Sequence, residues 1–318
     1  MSDLTGRRIL LTGATGFIGA NLARALVQGG AEAHALVRPR PDLWRIADLV
    51  PRLALHHADI DACEAMKEVV SQVLPEAIFH LAAPGGHPQG PGERAAMLRT
   101  VVLGTHNLLE AAATTAYRRF VHLCSSTVYG QRRQPLAETD PLEPASFRGA
   151  AKAAAALLCQ QHARSQGRPI VVLRPFSVYG YWEAATRLVP TAILAALGEG
   201  EMRLTIPGLC RDLVFVPDVV EACLLALEAD DLSGEAINLG SGQQWSNEAV
   251  VEWVRTLTGR RIHVQAGAYP AQAADSTHWV ADIRAAKARL GWAPRHTLPE
   301  GLEKTIAWFR QHLDAYPR

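Results

Sequence analysis

Short apolar runs alternate with longer amphipathic stretches over the first 175 residues. Residues 9–11, 32–37, 53–57, 77–83, 120–124 and 170–173 are apolar runs of strand length. Runs of this kind suit strands covered on both faces, as in a parallel sheet. Helical periodicity fills the gaps: about 17–27, ended by Gly29-Gly30, then about 93–113 and 147–165. Strands alternating with helices predict βαβ units and an α/β fold with a doubly wound parallel sheet. Beyond Pro175 the rhythm breaks, with Gly180, Gly198, Gly200 and Pro207-Gly208 punctuating short elements. Residues 237–240 read as one more strand of the main sheet. The tail from about residue 245 reads as helices separated by Pro270, Pro294 and Pro299. This predicts a cofactor-type domain of 1–175 plus about 213–242. A smaller discontinuous lobe of about 176–212 plus 243–318 then covers the C-terminal edge of the sheet, where ligands of such sheets bind.

The first strand leads directly into chemistry. Gly13, Gly16 and Gly19 follow it at a spacing of three, and a helix begins among them. Strand, glycine turn and helix in this order are what dinucleotide binding needs. Glycine lets the backbone turn and approach a pyrophosphate, and the helix N-terminus offers N–H groups to its charge.

Composition narrows the classes. The chain has 318 residues, a net charge of +1, 48% apolar and 20% charged residues, as expected of a soluble enzyme. Near-neutrality argues against a general nucleic-acid or membrane-surface binder. No apolar run approaches the ~20 residues of a membrane span, and the early first strand leaves no room for a signal peptide. Cys63, Cys124, Cys159, Cys210 and Cys223 form no C-x-x-C pair and read as reduced core residues of a cytoplasmic protein. No histidine pair has a metal-ligand spacing, so no metal is expected, and His56-His57 is given a structural role.

Several segments together carry a family resemblance. They are the glycine turn, His80-Leu81-Ala82-Ala83, Gly104 to Ala111, Ser125 to Gly130, Arg174 to Gly180, Arg211 to Val219, and Asp282 to Pro294. The chain resembles the extended short-chain dehydrogenase/reductases, and within them the NAD-dependent epimerase/dehydratase family that acts on nucleotide sugars. The resemblance implies that Gly13, Thr15, Gly16, Phe17, Ile18, Gly19, Asp59, Ile60, Leu81, Ala82, Ala83, Lys152, Pro175 and Val178 contact the dinucleotide. Asp59 has a second reading as the N-cap of the following helix. Ser126, Ser177, Arg187, Arg211 and Asp275 would contact the substrate; Arg211 could instead pair with Asp212 or Asp218. The helices at about 93–113 and 147–165 resemble those with which relatives build a four-helix homodimer interface.

The end of the second strand bears on the choice of cofactor. A carboxylate there would bind the ribose diol, whereas an arginine suits a 2′-phosphate. This chain has Val37-Arg38, with Arg40 nearby, which points to NADP rather than the alternative, NAD.

The reaction centre departs from the family. The pattern is a Ser or Thr, a Tyr, and a Lys four residues after the Tyr. Ser125 and Lys152 match, but Arg148 stands where the Tyr belongs. A guanidinium stays protonated and is no ordinary general acid. Val101 and Gln272 also stand where relatives carry Asn and a diphosphate-binding Arg. Tyr129 and Tyr179 are the candidate replacement acids. Two cations at 148 and 152 would call for an anion between them, from the substrate or from an internal Asp or Glu. Dehydratases place an Asp-Glu pair after the hydroxyl residue, and here Ser126-Thr127 follow Ser125. These features favour a ketoreductase of a deoxy-keto nucleotide sugar. Epimerase, a cofactor-binding protein without redox chemistry, and a non-redox reaction stay open.

Overall fold

A computed structural model describes residues 3–198, 200–270 and 275–316. Gln272 lies outside the described residues. Over the first half, the elements are β1 (Arg8–Thr12), α1 (Phe17–Gln28), β2 (Glu32–Val37), β3 (Ala54–His57), α2 (Cys63–Val73), β4 (Ala77–His80), α3 (Pro91–Leu98), α4 (Gly104–Ala113), β5 (Arg119–Leu123), α5 (Phe147–Gln166) and β6 (Ile170–Pro175). There follow β7 (Ser177–Tyr179), α6 (Leu188–Leu197), β8 (Glu201–Arg203), β9 (Cys210–Phe215), α7 (Val216–Glu228), β10 (Ala236–Leu239), β11 (Gln244–Ser246), α8 (Asn247–Thr258), β12 (His263–Gln265), α9 (Arg284–Leu290) and α10 (Leu298–His312).

The main sheet has the order β10-β6-β5-β4-β1-β2-β3, with every pairing parallel. The order reverses between β1 and β4, so a crevice opens at their C-terminal ends. Side chains alternate across each strand: Ile9 and Leu11 join one core with α1 and α7, while Leu10 joins the other with α2, α4 and α5. A third core gathers α6, α8 and α10 around Tyr179 and Phe215. β9 pairs with β7 and β11 in a small separate sheet. Among the described residues, no helix is long and apolar enough to cross a membrane.

Four expectations are corrected. The helix expected at 93–113 is interrupted by a π-helical turn, Arg99–Leu103. There the Thr105 hydroxyl donates to Val101 O at 2.6 Å, a local bond that competes with the regular ladder. Pro299 does not separate helices; it lies in the first turn of α10, where its missing N–H costs nothing. Two helices, α6 and α7, occupy the region read as short elements. Of the five free cysteines, Cys63 is exposed at the start of α2 and Cys210 is half-buried, so only three are core residues.

Candidate active site

One cavity of about 1020 Å³ runs from the glycine turn to the start of α5. Of the site residues expected above, its walls contain Gly13, Thr15, Gly16, Phe17, Ile18, Gly19, Arg38, Asp59, Ile60, Leu81, Ala82, Ala83, Ser125, Ser126, Tyr129, Arg148, Lys152, Pro175, Ser177, Val178, Arg187, Arg211 and Asp275.

At one end the wall is mostly backbone. Gly13 has φ +80°, and a Cβ there would lie 2.8 Å from Ala82 N. A Cβ on Gly19 would lie 2.0 Å from Gly13 O. The turn therefore closes tightly against the strand end after β4 only because both residues are glycine. Gly16 caps α1 without a side-chain bond, leaving the first-turn N–H groups free to meet an anion. The Thr12 hydroxyl accepts from Leu81 N and Ala82 N, each at 3.2 Å, and donates to His80 Nδ1 at 2.7 Å. His80 Nε2 lies 2.8 Å from the Thr105 hydroxyl. Burial pushes His80 down to about 3, so it is neutral and links β1, β4 and α4 as a structural group. These features fit a dinucleotide: glycine lets a diphosphate approach, and no buried charge opposes it.

Arg38 is exposed at the end of β2 and makes no hydrogen bond or ion pair with other described residues. Asp59 is exposed on the cavity wall. It is not the N-cap of α2, which is Ala62; only the Asp59 carbonyl takes part, accepting from Ala62 N. Arg45 crosses the cleft, donating to Trp182 O at 2.8 Å and to Thr15 O at 3.4 Å.

The other end carries charge. A Cβ on Gly149 would lie 2.3 Å from Thr127 O, so glycine allows α5 to lie against the turn after β5. That contact brings Arg148 and Lys152 to Ser125. The Ser125 hydroxyl accepts from Thr127 N at 3.2 Å and from the Thr127 hydroxyl at 3.0 Å. Its own hydrogen is left for another acceptor. Lys152 is buried and donates to Leu123 O at 3.0 Å, and burial pushes its ammonium down to about 8. Ser126 accepts from Trp279 Nε1 at 3.2 Å.

Arg148 has no carboxylate partner among the described residues. Its Nη1 donates to Pro84 O at 2.6 Å and Gly86 O at 3.1 Å. The internal Asp or Glu considered above is therefore not found, because loop carbonyls hold the guanidinium. Arg211 pairs with Asp275 at 3.0 Å rather than with Asp212 or Asp218. Asp212 is taken by the N–H groups of Ser241, Gly242 and Ala281, and Asp218 by His296. Tyr179 does not line the cavity; it donates to Leu298 O inside the third core. Tyr129 donates to Asn238 and accepts from Arg174, and burial pushes it up to about 12. Neither tyrosine offers a loosely held proton. Val101 is buried against Ala151 and Ala155.

Among the residues of this wall that sequence reasoning missed are Arg45, His87 and Glu183. Glu183 is 5% exposed, and its Oε2 has no hydrogen-bond partner among the described residues. Burial pushes it up to about 8. None of the three stands in a motif; folding alone brings them to the cavity.

The family model for the NAD dependent epimerase/dehydratase family matches residues 9–240. The chain belongs to that family. It is accordingly an enzyme of the extended short-chain dehydrogenase/reductase type. The dTDP-glucose 4,6-dehydratase of Neisseria meningitidis serogroup B is 30% identical over 95% of this chain and 93% of its own. The UDP-glucose 4-epimerase of Thermotoga maritima, solved with UDP-glucose, has a TM-score of 0.87 and 28% identity, covering 96% of this chain and 99% of its own. MoeE5, solved with UDP-glucose and NAD, has a TM-score of 0.85 and 30% identity, covering 96% and 99%. Among the described residues, no group of acidic, histidine or cysteine side chains could hold a metal ion.

Proposed function

We propose that the chain is an NADP(H)-dependent ketoreductase of a nucleotide-linked deoxy-keto sugar. Residues 1–175 with about 213–242 hold the cofactor, and about 176–212 with 243–318 form the substrate lobe. Relatives solved or named with nucleotide sugars support the substrate class, and MoeE5 with NAD supports a nicotinamide dinucleotide. The observation that carries the reading is Arg38: an unengaged guanidinium at the end of β2, in the cavity wall, where a carboxylate would serve the ribose diol.

The bound nicotinamide supplies hydride. The chain supplies the rest. The Ser125 hydroxyl, already accepting two bonds, donates its hydrogen to the substrate carbonyl. Lys152 would hold the nicotinamide ribose, and its ammonium, pushed down to about 8, would supply through Ser125 the proton that the carbonyl oxygen takes as hydride reaches the carbon. Arg148 keeps its charge and orients. Dehydration is disfavoured, because Ser126 and Thr127 are hydroxyls held in local hydrogen bonds where an acid and base would be required.

A second reading, epimerase, is favoured by Arg45. Its bridge between Thr15 O and Trp182 O would hinder nucleotide exchange, which suits a cofactor recycled in place. The enzyme is read as a homodimer through the exposed Leu98, Leu103 and Leu157 on α3–α5. Five free cysteines suit the cytoplasm.

NADPH and NADH titrations by nucleotide fluorescence test the cofactor assignment. NADPH should bind tighter, and Arg38→Ala should cost it ~1.5–3 kcal/mol, the scale of a charge-assisted hydrogen bond. Equal affinities would overturn NADP. Stoichiometric NADPH consumption with nucleotide 4-keto sugars supports the ketoreductase; turnover with no net consumption supports the epimerase.

A further inference from the structure

We propose that Arg148 and Arg187 form a subsite for a carboxylate carried by the sugar, so that the substrate is a nucleotide-linked sugar acid. This rests on the nucleotide-sugar part of the reading above and puts a sugar acid in place of the deoxy sugar.

The two guanidiniums come from separate elements, the first turn of α5 and the residue before α6, and line the same cavity. They lie near enough for Arg187 to push the Arg148 guanidinium down, in addition to burial. His87, from the loop after β4, is pushed down by burial and then by both arginines, with Asp275 acting the other way. Three groups able to carry positive charge thus share one wall.

Carboxylates offset them only in part. Asp42, Asp59 and Asp61 belong to the end of the cavity near β2 and β3, with Asp61 beside Arg99 at 3.6 Å. Asp275 is paired with Arg211. Glu183 forms a long ion pair with Arg187 at 3.9 Å, with no hydrogen bond between them; Arg187 draws its pKa down, but burial outweighs this and raises it to about 8, so it offsets Arg187 only in part. Two guanidiniums facing one wall repel each other, and an anion bound between them relieves that repulsion.

The free donors fit a carboxylate. Arg148 uses only Nη1 on Pro84 O and Gly86 O. Its Nε and Nη2, the side of the guanidinium that matches a planar carboxylate bidentately, have no partner among the described residues. The loop carbonyls fix the plane of the group, so little ordering entropy is lost on binding. Arg187, with its side chain 63% exposed, closes over from the lobe side.

The test uses full-length protein loaded with NADP⁺ and measures equilibrium binding of UDP-glucuronic acid beside UDP-glucose, and of the corresponding dTDP pair. Each acid should bind about tenfold or more tightly than its neutral partner, the scale of a charge-assisted pair. In Arg187→Ala the ratio should fall towards one. In Arg148→Lys, which keeps charge but loses the fork, it should fall partway, and cofactor titration of each variant reports an intact fold. Equal affinity of acid and neutral sugar in wild type overturns the inference and leaves the nucleotide-sugar reading standing. An equal loss for both sugars in Arg187→Ala also overturns it, since the guanidiniums would then hold the diphosphate. Failure of every nucleotide sugar to bind, with the cofactor bound, overturns the nucleotide-sugar reading and the inference together.

Discussion

The glycine-turn end of the cavity presents backbone, glycine and a neutral histidine, whereas the end at the start of α5 presents Lys152, Arg148, Arg187 and Glu183. The first end is specified by shape. Gly13 and Gly19 leave no room for a Cβ, and Thr12 fixes the facing turn through two N–H groups. The second end is specified by charge held in unfavourable surroundings. Lys152 is buried with one carbonyl partner, and Glu183 is buried with a partnerless oxygen. A shape-built site fails when an atom is added. A charge-built site keeps its geometry and responds to pH and to charge substitution. The glycine turn lies at the first end; at the second, Ser125 and Lys152 keep the family's pattern while Arg148 departs from it.

The sharpest way to break the contrast is at Lys152. Lys152→Met should lower turnover by ~10²–10⁴-fold, the scale of a lost acid–base group, and weaken nicotinamide binding, with the melting temperature unchanged or raised. Steady-state kinetics beside thermal unfolding separate these outcomes. Turnover near wild type would return Lys152 to a structural role.

Gly19→Ala tests the shape-built end. The added methyl would lie 2.0 Å from a backbone oxygen, and overpacking of this kind costs ~1–3 kcal/mol. The turn must open, so cofactor affinity should fall at least tenfold together with stability. Unchanged cofactor affinity would mean that close backbone approach does not matter there.

Legibility in the sequence follows the same division. The β1–turn–α1 unit is local: apolar run, glycine spacing and helix period all lie within twenty or so residues, and each agrees with the others. The register placing Arg148 four before Lys152 is likewise local. The partners were not legible, because they come from distant segments. Arg211 meets Asp275 across 64 residues. Arg148 is held by carbonyls of a loop 62 and 64 residues earlier. Glu183 looks like an ordinary surface glutamate in sequence, yet folding buries it under the C-terminal segment, where the Tyr316 hydroxyl donates to its backbone carbonyl at 2.9 Å. Periodicity also missed the π turn at Arg99–Leu103, since one wider turn leaves the apolar pattern of the flanking helices intact.

The smallest expected effect isolates the charge-built end by pH. Glu183 has an ordinary value of 4.5 and is pushed up to about 8 by burial. The folded state therefore binds a proton that the unfolded chain has released, so this group makes stability fall as pH rises from about 4.5 to about 8. Each pH unit in that window is worth ~1.4 kcal/mol at most. Lys152 runs the other way in a different window: its folded value near 8 lies below 10.5, so its contribution rises only above pH 8. Between pH 5 and 7.5 the slope from Glu183 stands apart from that of Lys152. An amide at this position does not titrate, so the stability gap between Glu183→Gln and wild type should widen with pH, gaining ~2 kcal/mol from pH 5.5 to 7.5. Comparing the two proteins at each pH cancels the titration of every other group. Denaturant unfolding at four or five pH values reads the gap directly. A gap that stays flat would mean that Glu183 ionises normally in the folded state. Arg187 would then have an internal counter-ion, and the contrast between the two ends would weaken at the residue that most defines it.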